Sequence, residues 1–306
     1  MAFFSVIMPV YNKVNTLSDS LECIYRQNFK DFEVIAVDDG STDGSLAILQ
    51  QYEKAGLLRL YQRDSPGSGG YAARNLGADK STGKWLVFFD ADDIMLSDHL
   101  SCFANAISQY SDIELYVNAY QKMEGWRRLP RIKGRASGRL SRLEALEFFA
   151  LFDFIHMNGA CISRQRFLSM GGFPAGLYRR GGDVYFWLKV LCELKTIHYN
   201  ANVTTLWLLE NSDITRDKRN LVGLHPGVDL FKQYESTLKR SERRQLRLAI
   251  NRKVLSWAVE KKLLGQSVRL DLEALRLGGM NMRLWLHAIS LLVPQPYYDQ
   301  LRRRIK

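Results

Sequence analysis

The chain has 306 residues, 46% of them hydrophobic and 25% charged. That suits one large folded α/β unit with an appendage and excludes a disordered or fibrous chain. A formal net charge of +11 is confined to Lys239–Lys306, which carries 16 basic and 5 acidic residues while the remainder balances; that asymmetry points to an anionic partner, with membrane lipid and nucleic acid as the two classes to weigh.

Met1–Val10 lacks the basic n-region of a signal peptide, and no stretch reaches the ~20 apolar residues that span a bilayer. The expectation is a cytoplasmic protein, at most held at the inner face of the cell membrane. Cys23, Cys102, Cys161 and Cys192 show neither a C-x-x-C pair nor zinc-ligand spacing, which predicts reduced, mostly buried thiols.

Phe4–Val10 reads as a short apolar strand, and Thr16–Asn28 as a helix with Leu17, Leu21 and Ile24 on one face. Phe32–Val37 is a continuous apolar run, as in a strand buried on both faces. Ser41 then serves as N-cap of a helix carrying Leu46, Leu49 and Tyr52 and stopping at Gly56. Leu57–Gln62 is the third strand, Gly70–Ser81 a helix, and Trp85–Phe89 the fourth strand. Ser97 caps a further helix with Leu100, Phe103 and Ile107 inward. This rhythm predicts a mostly parallel, Rossmann-like sheet with helices on both faces, whose ligands sit at the strands' carboxyl ends. Past residue 110 the pattern loosens. Trp126–Arg142 holds seven basic residues and no acidic one, and reads as a mobile surface loop or lid; Glu144–Phe154 reads as a short apolar helix.

Two strand ends open into carboxylates. In Asp90-Ala91-Asp92-Asp93, residues 90 and 92 of an extended chain point to one side. Paired carboxylates there suit a hard cation, Mg²⁺ or Mn²⁺, which in turn neutralises a diphosphate leaving group. The plainer reading is an acidic turn leading into a helix. In Asp38-Asp39-Gly40-Ser41-Thr42-Asp43, capping accounts for Ser41 and Asp43 and leaves Asp38 and Asp39 to accept hydrogen bonds from a base or a ribose. Gly67-Ser-Gly69-Gly-Tyr-Ala72 matches the dinucleotide fingerprint, but Arg63–Pro66 separates it from its strand, so it reads as a loop near the donor.

Four segments, Ser5–Asn12, Phe32–Asp43, Ala73-Arg-Asn-Leu-Gly77 and Gly83–Asp93, resemble in order and spacing the successive blocks of the family 2 glycosyltransferases. The resemblance covers roughly residues 3–210. It implies a GT-A fold over residues 1–220, with a nucleotide-binding half (1–110) and an acceptor half (111–220), followed by a basic helical region (221–306). It further implies that Pro9, Tyr11 and Asp39 hold the base, most simply uracil, that Arg74 lies near base or diphosphate, that Asp90 approaches the ribose and that Asp92 binds Mn²⁺ or Mg²⁺. The alternative for Arg74 is a surface helix residue paired with Asp79.

The family block that supplies the catalytic base usually reads Glu-Asp. Here it is Gly181-Gly182-Asp183, with Asp183 in the base position and glycine in place of the preceding acid. The bland alternative is that Asp183 only caps the helix carrying Trp187. Leu206–Thr215 resembles the block after the last strand, but Glu210-Asn211 stands where relatives carry a His or Arg, so no third metal ligand is assigned. His156, Asn158 and Trp187 are the candidate pocket residues for acceptor or donor sugar. The resemblance implies inverting transfer from a UDP-sugar or other nucleotide-sugar to a glycan or lipid-linked acceptor, as in bacterial surface polysaccharide or lipopolysaccharide synthesis; a non-catalytic, membrane-associated nucleotide-binding protein of the same fold is the alternative.

In the tail, Arg240, Arg243, Arg244 and Arg247 recur at helical spacing. Leu284–Pro294 is apolar, with Arg283 before it and Arg302-Arg303-Arg304 beyond. Such a segment lies in a membrane interface beside anionic headgroups or packs on the catalytic unit. No aromatic-and-basic platform indicates a nucleic-acid partner.

Overall fold

The computed structural model describes residues 2–130, 134–211, 221, 223–295, 297 and 298. Residues 131–133 of the basic segment, the Leu206–Thr215 block past Asn211, and Arg302–Arg304 lie outside the described residues.

The alternation read from the sequence is present: β1 (Phe4–Val10), α1 (Leu17–Tyr25), β2 (Phe32–Asp38), α2 (Ser45–Lys54), β3 (Arg59–Gln62), α3 (Tyr71–Lys80) and β4 (Trp85–Phe88). β1 pairs in parallel with both β2 and β4, and β2 with β3. Chain order runs outward from β1 to β3 and then returns to β4 on the other side, so the crevice that binds ligands in such sheets opens at the β1 and β4 carboxyl ends. Both faces are apolar by simple alternation. Val6, Met8 and Val10 face α1 and α4 (His99–Gln109), where Leu17, Leu21, Leu100 and Phe103 complete one core. Ile7, Ile35 and Val37 face α3 and the second core. α3 comes so close to β1 that a Cβ on Gly77 would stand 2.5 Å from Ile7 Cγ2, which is why glycine occupies that turn.

The other half contains β5 (Ile94–Met95), β6 (Leu115–Glu124), β7 (Arg127–Arg128), β8 (Gly138–Ser141), α5 (Arg142–Leu151), β9 (Ala160–Ser163), α6 (Arg164–Ser169), α7 (Gly182–Glu193) and β10 (Thr196–Leu208). β9 runs antiparallel between β4 and β6, and β6 is parallel to β10. One continuous sheet results, in the order β3-β2-β1-β4-β9-β6-β10-β5, with β7 on β6 and β8 on β10.

Three local expectations are corrected. Ser41 does not cap α2: its hydroxyl accepts from Asn12 N–H (3.0 Å), and α2 begins only after Gly44, whose φ is +98°. Ser97 does not cap α4 either. Its carbonyl accepts from Asn28 N–H, while Gln27 Oε1 receives Leu100 N–H (3.0 Å) and caps the helix from the end of α1. The basic Trp126–Arg142 segment is not wholly loop, because β6 and β10 offer edges on which its ends pair as β7 and β8. α5 accordingly starts at Arg142, behind a capping box between Ser141 and Glu144.

The C-terminal helices are α8 (Asp229–Tyr234), α9 (Arg240–Leu263), α10 (Arg269–Glu273) and α11 (Met282–Leu292). Leu246, Ala249, Ile250 and Val254 of α9 share the core of Phe148 and Phe149 on α5, so the helices are built into the apolar interior. Arg252 and Lys253 both reach Asp153 at 2.6 Å, and these two cations hold its carboxyl well below the usual range despite burial. α11 packs inward through Leu284, Ala288 and Leu291, while Met282, Trp285, Leu286, Ile289 and Leu292 face out. Among the described residues, no helix is long and apolar enough to cross a membrane.

Candidate functional site

Two cavities meet at the carboxyl ends of β1 and β4. The first, about 320 Å³, is lined by Pro9, Tyr11, Lys13, Asp39, Arg74, Asp90 and Asp92, with Gly67, Gly69 and Gly70 along one side. All the residues assigned to nucleotide and metal thus come together. The second, about 280 Å³, contains Asp183, His156, Tyr120, Lys122, Arg180 and Lys253. Gly69, Arg74, Asp90 and Trp207 line both and mark the junction. A larger cavity of about 500 Å³ lies between α5, α9 and α11, but its walls are mainly apolar and none of the strand-end carboxylates reaches it.

Local backbone explains the first cavity. Asn12 takes φ +51°, a conformation asparagine tolerates. The turn it opens is tied to the loop after β2: Asn12 Oδ1 receives Thr42 N–H (2.8 Å), Ser45 Oγ receives Lys13 N–H (2.8 Å) and Asp43 Oδ2 receives Val14 N–H (3.0 Å). The exposed Tyr11 ring is left at the cavity mouth. Asp39 is nearly fully buried; it pairs with Arg63 and accepts Gly67 N–H (2.9 Å), so it pins the glycine loop while each oxygen keeps a second lone pair.

Arg74 is buried, donates to Gly69 O (2.7 Å) and pairs with Asp90, so the Asp79 alternative is set aside. Asp92 Oδ2 lies 2.8 Å from Lys13 Nζ, and Lys13 also donates to Asn211 O (3.0 Å). Burial first, then the neighbouring Asp90 charge, raises the Asp92 carboxyl above its ordinary range. Asp93 points the other way, accepting from Leu208 N–H (2.8 Å) and the Asn158 side chain.

Among the described residues, no group of three or more His, Cys, Asp or Glu side chains converges on one point. A divalent ion completed by substrate phosphates needs only one or two protein carboxylates. Asp92, half-buried and crowded by Asp90, fits such an ion, which would relieve that crowding. Glu210 supplies no further ligand; its carboxylate receives Gly125 N–H (3.3 Å).

Two pocket assignments are corrected. Trp187 is 1% exposed and packs against Phe173 and Phe186, because the apolar face of α7 turns into the core. Asn158 is fully buried and braces β4, receiving Asp90 N–H (2.9 Å) on its carbonyl and donating to Asp93. His156 does line the second cavity, stacked on Tyr120 (4.8 Å) and against Trp207 (4.7 Å). Burial lowers its pKa to about 4, so the ring is neutral at pH 7. Lys122 lies 4.7 Å over Trp207. Sequence reasoning missed Lys13, Tyr120, Lys122 and Trp207. Lys13 directly follows the Tyr11-Asn12 motif and was within reach; Tyr120 and Lys122 sit in a strand with no motif around them.

The family model for "Glycosyl transferase family 2" matches residues 5–167. An uncharacterized glycosyltransferase of Rickettsia felis is 36% identical over 119 residues, which is 39% of this chain and 19% of that protein, so the chain spans only a minor part of that relative's length. Among solved structures, S. aureus TarS 1–349 in complex with UDP-GlcNAc shares the fold, with a TM-score of 0.63 and 18% identity over 97% of this chain and 91% of that one. The mannosyltransferase PcManGT from Pyrobaculum calidifontis, in complex with GDP-Man and Mn²⁺, does so with a TM-score of 0.57 and 17% identity over 98% and 83%. With the family model matching more than half of the sequence and the motif residues gathered at one end of the sheet, the chain belongs to glycosyl transferase family 2.

Proposed function

We propose that the chain is an inverting glycosyltransferase that takes a UDP-sugar, of the N-acetylhexosamine or hexose type, and moves the sugar to a hydroxyl of a glycan or lipid-linked acceptor. The observation that carries this reading is the junction of the two cavities: Asp92 stands on one side of it, Asp183 on the other, and Asp90 lines both. Uracil would lie against Pro9 and Tyr11, with Asp39 accepting its imide N–H. Arg74 and Lys13 supply positive charge beside the diphosphate, and Asp90 stands where the ribose enters. Asp92 would hold Mn²⁺ or Mg²⁺, which when bound stabilises the negative charge of the leaving diphosphate. In the second cavity the acceptor oxygen attacks the anomeric carbon from the face opposite the diphosphate. Its proton passes to the Asp183 carboxylate as the bond from carbon to the diphosphate oxygen breaks. The neutral His156 and the Tyr120–Trp207 wall offer a flat, apolar surface for a sugar ring.

Thermal denaturation with UDP-GlcNAc, UDP-glucose and GDP-mannose, with and without Mn²⁺, tests the donor site. Ligand at 100 times its Kd contributes about 2.7 kcal/mol of stability, so a UDP-sugar should raise Tm by several degrees, and more with Mn²⁺. No shift with any UDP-sugar would refute the donor assignment; a shift without sugar transfer or slow donor hydrolysis would favour the non-catalytic alternative.

For the acceptor, the reading is a lipid-linked molecule met at an anionic membrane face. The support is the outer side of α11, where Met282, Trp285, Leu286, Ile289 and Leu292 form one exposed apolar stripe beside Arg283, in a segment carrying the chain's whole net charge. The protein should sediment with phosphatidylglycerol vesicles and not with phosphatidylcholine vesicles. The Trp285→Ser, Ile289→Ser double variant should weaken that binding about tenfold or more. Equal sedimentation of the variant and the parent chain would remove α11 from this role.

A further inference from the structure

α7 begins without a cap of its own. The residue before it, Gly181, has φ +77° and no side chain to receive the free N–H groups of the first turn. Tyr71, at the start of α3, fills that role from across the cavity junction. Its phenolic oxygen accepts Gly182 N–H at 2.9 Å and Asp183 N–H at 3.3 Å, and its O–H lies 3.5 Å from Asp183 Oδ1. Two acceptances and one donation use the full capacity of a phenol. Tyr71 is 4% exposed, and burial together with the Asp183 charge pushes its pKa up, so it stays a protonated donor.

The ring is held as tightly as the hydroxyl. It stacks on Phe173 at 6.0 Å, and a Cβ on Gly182 would stand 2.8 Å from Tyr71 Cε2. On the other side, a Cβ on Gly69 would stand 2.6 Å from the same atom. Tyr71, together with Pro174 Cγ at 2.9 Å, thus occupies the volume that a side chain at 182 would need, and it joins the glycine loop of the donor cavity to the first turn of α7.

We propose that Tyr71 is the positioning residue for Asp183, and that position 182 is glycine because the Tyr71 ring takes the space of the acid usual before the base in this family. The inference rests on the reading of Asp183 as the base.

The test is Tyr71→Phe in the full chain, which keeps the ring and deletes the hydroxyl. Donor KM and the Mn²⁺-dependent rise in Tm with UDP-sugar should be unchanged, while kcat falls between about 10- and 100-fold, the range for a misplaced reacting group. In an Asp183→Asn background the same substitution should change kcat by less than twofold. A kcat within twofold of the parent chain, or an equal loss in both backgrounds, overturns the proposal. Should the parent chain bind donor and transfer nothing, the functional reading has failed separately. Amide exchange then decides: faster exchange at Gly182 and Asp183 in Tyr71→Phe supports the positioning role, and unchanged exchange ends it.

Discussion

Asp183→Asn is expected to bind a UDP-sugar as the parent chain does and to lose transfer by about 10²- to 10⁴-fold, the usual contribution of a general base. That loss corresponds to about 3 to 5 kcal/mol of transition-state stabilisation. The substitution preserves shape, and the residue lies in the first turn of α7, where a negative charge contributes about 0.3 to 1 kcal/mol through the helix dipole. Tm should therefore fall by only a few degrees. The split between unchanged donor binding and lost turnover separates catalysis from capping: a residue that only capped α7 would move Tm and leave kcat largely alone. Steady-state kinetics with a UDP-sugar, beside thermal shifts on the same sample, make the comparison. Turnover within threefold of the parent chain would take the base role from Asp183.

The second large effect is expected at Asp92. Its carboxylate lines the first cavity, with Lys13 at 2.8 Å and Asp90 close enough to raise its pKa. Asp92→Asn removes one of two crowded negative charges, so the unliganded protein should keep its fold. What it should lose is the Mn²⁺ increment of the UDP-sugar thermal shift, together with about 10²-fold or more in transfer, because developing charge on the diphosphate is no longer offset by a bound cation. Residual, metal-independent binding of UDP is expected, since Lys13 and Arg74 still line the cavity. An undiminished Mn²⁺ increment in Asp92→Asn would place the ion elsewhere.

Lys13 illustrates why part of the site could not be read from the chain. Its place after Tyr11-Asn12 is plain in the sequence, but nothing local says that the Asn12 turn, bound to the loop after β2, aims its ammonium at Asp92. Trp187 shows the reverse. It stands four residues after Asp183 and is a candidate pocket residue in the sequence, yet a helix starting at Gly182 turns that position into the core among Phe173 and Phe186. Ser41 and Ser97 each look like caps, and each has a distant partner instead: the Ser41 hydroxyl receives Asn12 N–H, and the Ser97 carbonyl receives Asn28 N–H. Glycine at 182 looks like decay of a motif until the Tyr71 ring is seen beside it.

The first four strands, the helices between them and the acidic ends of β2 and β4 were legible in the sequence alone. They are encoded by short apolar runs and by residue spacing, which act over a turn or a strand at a time. The tertiary structure decided how β9 joins the two parallel sets, which side chains face the cavities, and which residue supports Asp183. Those choices depend on contacts between segments far apart in the chain, such as residues 71 and 182, and their energy comes from packing and burial that no local pattern records.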